Sequence, residues 1–363
     1  MSYYQAAHFS DTQDGHIVTD EILTRIDGGV GFVTLNRPKA LNSLNQTMVD
    51  GLAEVLGAWS TDDAIGTVVL DGAGERGLCA GGDVVAIRNS AMDDGAMARK
   101  FWFDEYRVNQ LIARFPKPYV ALMDGIVMGG GVGVSAHGSV RVVTDTTKLA
   151  MPEVGIGFIP DVGGTFLLAN TPGGLGLYAA LTGSTLTGAD AIVLGFADHF
   201  VPHEQLSEFT KAIAEAGTDA ALSRYAIEPP ASNLAAQQHW IDQCFGTARE
   251  PQPLLETIAA LHGHDSEPAN AAAKVIEGRS PVSVAVTREA IRRAADHETL
   301  EETLIQEYRV SCASLRSHDL VEGIRAQLVD KDRNPTWSPP SLAAVTQDDV
   351  DAYFVPADPD LSF

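Results

Sequence analysis

Basic residues are scarce in this chain of 363 residues. It has 25 Lys and Arg against 48 Asp and Glu, which gives a formal net charge of −23. A chain with this charge repels nucleic-acid phosphates and anionic lipid head groups. We therefore predict no nucleic-acid partner and no membrane partner, and an anionic ligand would need a local site of cations or backbone amides.

Cysteines and long apolar runs are also few. Cys79, Cys244 and Cys312 are odd in number and widely spaced, which favours reduced thiols over a disulfide framework. The N-terminus lacks the basic start and apolar run of a signal peptide. The longest apolar stretch, residues 118 to 136, contains Asp124 and several glycines, so it is better explained as a buried strand and turn. These features predict a cytoplasmic protein.

Several familiar site motifs are missing. The sequence has no His-Glu-x-x-His, Cys-x-x-Cys or EF-hand spacing, so no metal site is predicted. Residues 131 to 136 fit Gly-x-Gly-x-x-Ala, but only residues 136 to 139 separate them from the next predicted strand. A crossover helix needs on the order of ten residues, so dinucleotide binding is rejected.

The apolar pattern is that of an α/β protein. Strands alternate with helices from residue 21 to about 200, and glycine-rich turns follow the strands. The predicted strands are 22–26, 30–35, 65–70, 119–123 and 140–144, and the main helices are 45–59 and 94–114. After Pro202 the pattern predicts helices at 205–216, 219–225, 231–245, 253–261, 267–277, 281–295 and 297–315, with a last turn at 348–354.

Residues 151 to 164 hold two carboxylates, Glu153 and Asp161, among glycines, prolines and apolar residues with no basic residue nearby. Such surroundings raise a carboxyl pKa or make the group a stronger base or nucleophile. The alternative is a loop whose acids only cap helices. Two glycine-rich turns, 80–82 and 129–131, each follow a predicted strand, and their N–H groups could converge on one oxygen to stabilise an oxyanion. The alternative for these glycines is tight packing.

Four motifs, in their order and spacing, carry a family resemblance: residues 35–42 (LNRPKALN), 78–83 (LCAGGD), 125–133 and 152–164. With them the chain resembles the crotonase (enoyl-CoA hydratase/isomerase) superfamily. Residues 101–106, 151–161 and the tail 319–337 narrow the resemblance to its 3-hydroxyisobutyryl-CoA hydrolases. It implies a ββα spiral core at 16–202, a helical C-terminal domain at 203–345 and a tail at 346–363.

The resemblance also implies site residues. Glu153 matches the catalytic glutamate and Asp161 the hydrolases' second acid, while Gly133 stands where hydratases carry a second glutamate. The implied oxyanion hole is Ala80 and Gly130, the substrate contacts are Glu105, Gly81, Gly82 and Asp83, and the CoA contacts are Arg37, Lys39, Ala40 and Leu41. Arg37 and Lys39 are explained about equally well as solvated loop cations.

The implied reaction is hydrolysis of the 3-hydroxyisobutyryl-CoA thioester in valine breakdown, with Glu153 as nucleophile or general base. CoA is then part of the substrate, and no separate cofactor is expected. The alternatives are an enoyl-CoA hydratase or isomerase with an altered acid pair, and a non-catalytic acyl-CoA-binding protein. Crotonase relatives are often trimers or pairs of trimers, but the long helical tail could cover the surface they use.

Overall fold

The computed structural model describes residues 19–363. The predicted loose N-terminus and the start of the core at residue 16 lie outside the described residues, except for residues 19 and 20. The strands are β1 (Ile22–Asp27), β2 (Val30–Leu35), β3 (Thr67–Gly72), β4 (Tyr119–Met123), β5 (Ile126–Met128), β6 (Val140–Val143), β7 (Lys148–Ala150) and β8 (His199–Phe200).

Six strands form one sheet in the order β1-β2-β3-β4-β6-β8. β1 and β2 are an antiparallel hairpin, and its turn uses Gly28 and Gly29 at φ +57° and +78°, as hairpin turns of this kind require. The remaining neighbours are parallel, with Val68 opposite Tyr119 and Val120 opposite Val140. Parallel strands need crossover connections, which helices supply here.

The helices are α1 (Gln46–Thr61), α2 (Val84–Ala91), α3 (Ala96–Ala113), α4 (Gly130–Gly133), α5 (Gly164–Ala169), α6 (Leu175–Thr182), α7 (Gly188–Val193), α8 (Leu206–Ala216), α9 (Thr218–Tyr225), α10 (Gln238–Phe245), α11 (Leu254–Gly263), α12 (Glu267–Glu277), α13 (Pro281–Ala294), α14 (Leu300–Ser314), α15 (His318–Ile324) and α16 (Gln347–Asp351). The predicted α/β part followed by helices is confirmed. Among the helices of residues 19–363, none combines the length and apolar character needed to cross a bilayer.

One predicted helix, 231–245, is wrong in its first half. α10 begins only at Gln238, after a short 3-10 turn. The preceding segment is held in place by Asp190, whose Oδ1 accepts hydrogen bonds from the Ser232 hydroxyl at 2.6 Å and from the Leu234 N–H at 3.0 Å. These tertiary bonds compete with the local helical bonds that the sequence pattern favours.

A small second sheet positions the site. β5 and β7 are parallel, and Cys79 bridges Val127 in the same sense. The carboxyl ends of parallel strands meet at one edge of a sheet, so the segments that follow come together there. Those segments are residues 80–82, 129–130 and 153–156, the last a 3-10 helix, Glu153–Ile156.

Helices from the end of the chain cover this edge. α14 packs on α3, where Tyr308 makes edge-on contacts with Phe103 and Tyr106. α13 packs on α5 and α6, and α15 packs on α2 and on the Glu153–Ile156 turn. The C-terminal helices therefore form part of the wall around the second sheet's edge.

Candidate active site

A cavity of about 530 Å³ opens at this edge. Three carboxylic acids, three aromatic rings and three cations line it: Glu105, Glu153 and Asp161; Phe101, Trp102 and Phe158; Lys39, Arg76 and Arg279. Trp102 stacks on Phe158 with ring centroids 5.4 Å apart. The cavity thus combines a mostly apolar wall with a few converging polar groups, as small-molecule sites do.

Glu153 follows β7 and is only 7% exposed. Its Oε1 lies 2.7 Å from the position that a Cβ on Gly129 would occupy, and its Oε2 has no hydrogen-bond partner among residues 19–363. Burial, and then the charge of Asp161, raises the pKa of Glu153 well above its usual value. Gly129 therefore leaves space for a carboxyl group whose burial favours the protonated form, and such a group is a stronger base when it ionises.

Glu105 is on α3 and is 2% exposed. Its Oε1 lies 2.8 Å from the Cβ position of Gly130 and has no partner within the described chain. Burial, and then Asp161, raises the pKa of Glu105 well above its usual value. The two glycines of the 129–130 turn are thus flanked by two carboxyl groups, one on each.

Asp161 is the third acid, 6% exposed. Its Oδ2 accepts a hydrogen bond from the Tyr106 hydroxyl at 2.7 Å. Burial raises the pKa of Asp161 to about 7, and the bond from Tyr106 opposes that rise. No Lys or Arg of the described residues pairs with any of the three acids, so each carboxyl group disfavours ionisation of its neighbours.

Glu307 on α14 fixes the loop that carries Asp161. It accepts hydrogen bonds from Gly163 N–H at 2.6 Å, Thr165 N–H at 2.9 Å and the Thr165 hydroxyl at 2.6 Å. Sequence reasoning missed Glu307 and Tyr106 because each sits inside an amphipathic helix. The only sign in the sequence was that each places a polar group on the helix face that the hydrophobic pattern predicts to be buried.

The predicted oxyanion donor Ala80 is corrected by the structure. Its N–H donates to the Leu41 carbonyl at 3.0 Å, so it is already used. By contrast, the N–H groups of Gly82 and Gly130 meet no acceptor in the part of the chain that is described. The Gly81 carbonyl carbon, bonded to the Gly82 nitrogen, lies 3.4 Å from the Cβ position of Gly130. Gly82 and Gly130 are therefore a pair of neighbouring donors available to a ligand, and both line the cavity. The N–H of Gly81, which also lines the cavity, likewise meets no acceptor among the described residues.

Gly133, the position of the hydratases' second glutamate, is buried without space for a side chain. A Cβ there would lie 2.6 Å from the Val162 Cβ and 2.9 Å from the Asn109 Nδ2. The space is filled by residues of this chain, so an acid could not be added at this position without moving them.

The CoA contacts and the remaining substrate contacts predicted from the sequence separate into two groups. Lys39, Ala40 and Leu41 line the cavity, as do Gly81 and Gly82. Arg37 and Asp83 do not. Arg37 donates to the Ser43 carbonyl at 2.5 Å and pairs with Glu21 at 3.3 Å and with Asp83 at 3.4 Å.

Asp83 also caps α2, accepting from the Ala86 N–H at 3.3 Å. Arg37 and Asp83 thus hold neighbouring segments together, and the cavity geometry does not support the ligand contacts predicted for them. Arg76, which sequence reasoning missed, does line the cavity, and like Lys39 it forms no ion pair among residues 19–363.

Comparison of the sequence with known proteins identifies the family of this chain. Residues 30–354 match the family described as Enoyl-CoA hydratase/isomerase. The mitochondrial 3-hydroxyisobutyryl-CoA hydrolase of Danio rerio is 38% identical, over 94% of this chain and 92% of that protein. Its Homo sapiens counterpart is 37% identical, over 92% and 88%.

Two solved structures are also similar. A carnitinyl-CoA dehydratase from Mycobacterium thermoresistibile is 63% identical, with a TM-score of 0.92 over 95% of this chain and 99% of that one. An enoyl-CoA hydratase from Rhodobacter sphaeroides is 38% identical, with a TM-score of 0.89 over 94% and 100%. The names of all these relatives specify a CoA ester, but they specify different reactions: hydrolysis, dehydration and hydration.

Proposed function

The chain belongs to the enoyl-CoA hydratase/isomerase family, and from this premise we propose that it hydrolyses the thioester of 3-hydroxyisobutyryl-CoA, or of a close 3-hydroxyacyl-CoA. The observation that carries the proposal is the combination at one cavity of Glu153, Asp161 and two free glycine N–H groups, with the hydratases' second acid position filled by Val162 and Asn109. Relatives named as hydrolases cover more than nine-tenths of the chain.

In the proposed reaction the thioester carbonyl oxygen lies between the N–H groups of Gly82 and Gly130. These donors stabilise the negative charge that develops on that oxygen. Glu153 either attacks the carbonyl carbon, giving a mixed anhydride that water then cleaves, or takes a proton from the attacking water. In both routes the carbon–sulfur bond breaks and CoA leaves as its thiol. The oxygen from water enters the acid product or, when water cleaves the anhydride at the Glu153 carbon, the carboxyl of Glu153.

Asp161 would accept a hydrogen bond from the substrate's 3-hydroxyl group. A buried acid built to bind a hydroxyl discriminates against substrates that lack it, because the acid is left unpaired. This role suits the hydroxylated acyl group of the proposed substrate and supports a place in valine breakdown. The sequence predicts a cytoplasmic location, whereas the vertebrate relatives are named mitochondrial.

Dehydration or hydration of an acyl-CoA is the second candidate, since the 63% identical structure is named a dehydratase. Glu153 could take or give the proton at carbon 2, but the usual second glutamate has no counterpart at Gly133. Asp161 or Glu105 would then have to act on the hydroxyl.

An assay of released thiol separates these functions. We expect the protein to release free CoA from 3-hydroxyisobutyryl-CoA, and much more slowly from isobutyryl-CoA. With crotonyl-CoA we expect little loss of the enoyl absorbance. Loss of that absorbance without thiol release would support the hydratase, and binding of both esters without turnover would leave an acyl-CoA-binding protein.

Hydrolysis should be lost on the acid side of neutrality. Asp161 has a pKa raised to about 7, so its ionised fraction falls as the pH drops through that value, and the raised pKa of Glu153 acts in the same direction. We expect kcat/KM to fall about tenfold per pH unit below the midpoint, which belongs to the set of acids together. A profile flat from pH 5 to pH 8 would contradict this assignment.

Lys39 and Arg76 are expected to bind the phosphates of CoA. Replacing both with alanine should raise KM for the CoA ester about tenfold at low salt and leave kcat within about twofold, because contacts to the phosphates stabilise the bound substrate and the transition state equally. The difference should shrink at high salt, since both side chains are exposed. Lys211→Ala, on the exposed face of α8, is the matched control and should leave KM unchanged.

A further inference from the structure

A buried chain of hydroxyl groups runs from the cavity into the C-terminal helices. Tyr106 on α3 is fully buried and donates its phenol proton to Asp161 Oδ2 at 2.7 Å. Because that proton is committed, the second bond of the phenol oxygen, to Ser311 at 2.7 Å, must take its proton from the serine. Ser311 on α14 is also fully buried, so the whole chain is shielded from water.

The hydrogen bond from Tyr106 occupies only one of the two carboxyl oxygens of Asp161, Oδ2. The backbone N–H of Asp161 also bonds to its own carboxyl group, but no side chain of residues 19–363 donates to Oδ1. Because Asp161 lines the cavity, Oδ1 can accept a hydrogen bond from a ligand there. The hydrogen bond from the Tyr106 phenol fixes the orientation of the Asp161 carboxyl group, whether that group is ionised or protonated. A hydrogen bond from a neutral donor stabilises the ionised form of a carboxylate over its protonated form.

The surroundings of Asp161 otherwise oppose its ionisation. The ionisable groups around it are Glu105 and Tyr106 on α3, Glu153 at the 3-10 turn and Glu307 on α14. His137 lies nearby through a 2.7 Å bond to the Val162 carbonyl, and burial lowers the pKa of His137 to about 4, so it supplies no positive charge at neutral pH. Tyr106 is thus a donor that favours charge on Asp161, whereas no side chain of residues 19–363 donates to Glu105 or Glu153.

We infer that Tyr106, supported by Ser311, is a positioning residue that favours the ionised form of Asp161 and directs its Oδ1 at the substrate's hydroxyl group. The inference rests on the proposed function for its catalytic meaning, but the ionisation of Asp161 is a property of the free protein. The pairing of Tyr106 with Ser311 cannot be predicted from the sequence, because the two residues are 205 positions apart.

The test is a titration of Asp161 by NMR, with aspartate ¹³C-labelled at the side-chain carboxyl and the Asp161 signal identified by its loss in Asp161→Asn. In Tyr106→Phe we expect the midpoint of Asp161 to rise by about one pH unit, since a hydrogen bond to a charged group is lost. Ser311→Ala should raise it less, because it only weakens the phenol as a donor. Tyr119→Phe is the matched control: it removes another buried phenol, bonded to the Val134 carbonyl at 3.0 Å, and should leave the midpoint unchanged.

Activity gives a second readout. If the chain hydrolyses the ester, the acid limb of kcat/KM in Tyr106→Phe should move to higher pH with the NMR midpoint, so activity is about fivefold lower at pH 7 and recovers towards pH 9. A merely structural role would lower activity equally at all pH values. An unchanged NMR midpoint in Tyr106→Phe, or in Ser311→Ala if the first variant does not fold, would overturn the inference. If the wild-type protein releases no thiol, the proposed function fails, and the NMR midpoints still decide the role of Tyr106.

Discussion

Replacing Glu153 with glutamine is expected to lower kcat for thiol release by about 10³-fold or more. Glutamine cannot attack the thioester carbonyl and cannot take a proton from water, so both routes open to Glu153 are closed. The amide has nearly the same shape as the acid, and the cavity geometry around Gly129 should persist. Binding of the CoA ester, measured by calorimetry, should therefore be retained within a few-fold.

The fold should not suffer from this change. The buried carboxyl of Glu153 has a raised pKa and an oxygen without a partner among the described residues, so a neutral amide replaces a group that burial already disfavours as an anion. We expect the melting temperature at pH 8 to stay the same or to rise. Glu208→Gln, on the exposed face of α8, is the matched control and should retain full activity. Thiol release by Glu153→Gln within tenfold of wild type would remove Glu153 from the mechanism.

Replacing Gly129 with alanine is expected to lower kcat by about 10²-fold. Gly129 has φ +50° and ψ −119°, a conformation that side chains rarely adopt, and the new Cβ would lie 2.7 Å from Glu153 Oε1. The change would displace the catalytic carboxyl and tilt the following N–H of Gly130, and losing one oxyanion donor costs about 10²-fold or more in rate. Stability should fall by about 1–3 kcal/mol because of the strained backbone.

Gly57→Ala provides the contrast. Gly57 lies within α1, where an added Cβ meets nothing within 4 Å. Alanine there should stabilise the protein by up to about 1 kcal/mol, through its helix propensity, and leave kcat unchanged. Thermal unfolding and thiol release measured on both variants separate the two effects. Equal activities in the two variants would show that the 129–130 turn does not contribute to the rate.

The segment that carries the proposed catalytic acids could be predicted because its features are local in the sequence. Glu153 and Asp161 stand out among glycines and prolines, and the strand pattern placed the glycine turns after strands that the structure brings to one edge. The parallel pairing of β5, β7 and Cys79 is the physical reason that segments far apart in sequence share the cavity.

What could not be predicted depends on tertiary partners. The N–H of Ala80 is not free because it donates a hydrogen bond to the carbonyl of Leu41, 39 positions away in the sequence. The sequence suggests that Arg37 is a cation available to bind phosphate, but in the structure Arg37 forms ion pairs with Glu21 and Asp83. In each case a hydrogen bond between distant segments, rather than a residue type, assigns the role.

We expect the acids of the cavity to determine which reaction a member of the family catalyses. The amide N–H pair suits any thioester whose carbonyl oxygen gains charge, and the acids decide what happens next. Here the position of the hydratases' second glutamate is filled, and the remaining acids lie on α3 and on the loop after Glu153. We therefore expect the carbon–sulfur bond, rather than the carbon–oxygen bond at carbon 3, to break.

A single turnover of 3-hydroxyisobutyryl-CoA in H₂¹⁸O, with excess protein and mass spectrometry of the products, tests this claim most directly. We predict free CoA and 3-hydroxyisobutyric acid that carries ¹⁸O in its carboxyl group, or ¹⁸O in the carboxyl of Glu153 if that residue is the nucleophile. Formation of the unsaturated acyl-CoA, with the thioester intact and no free CoA, would contradict the account.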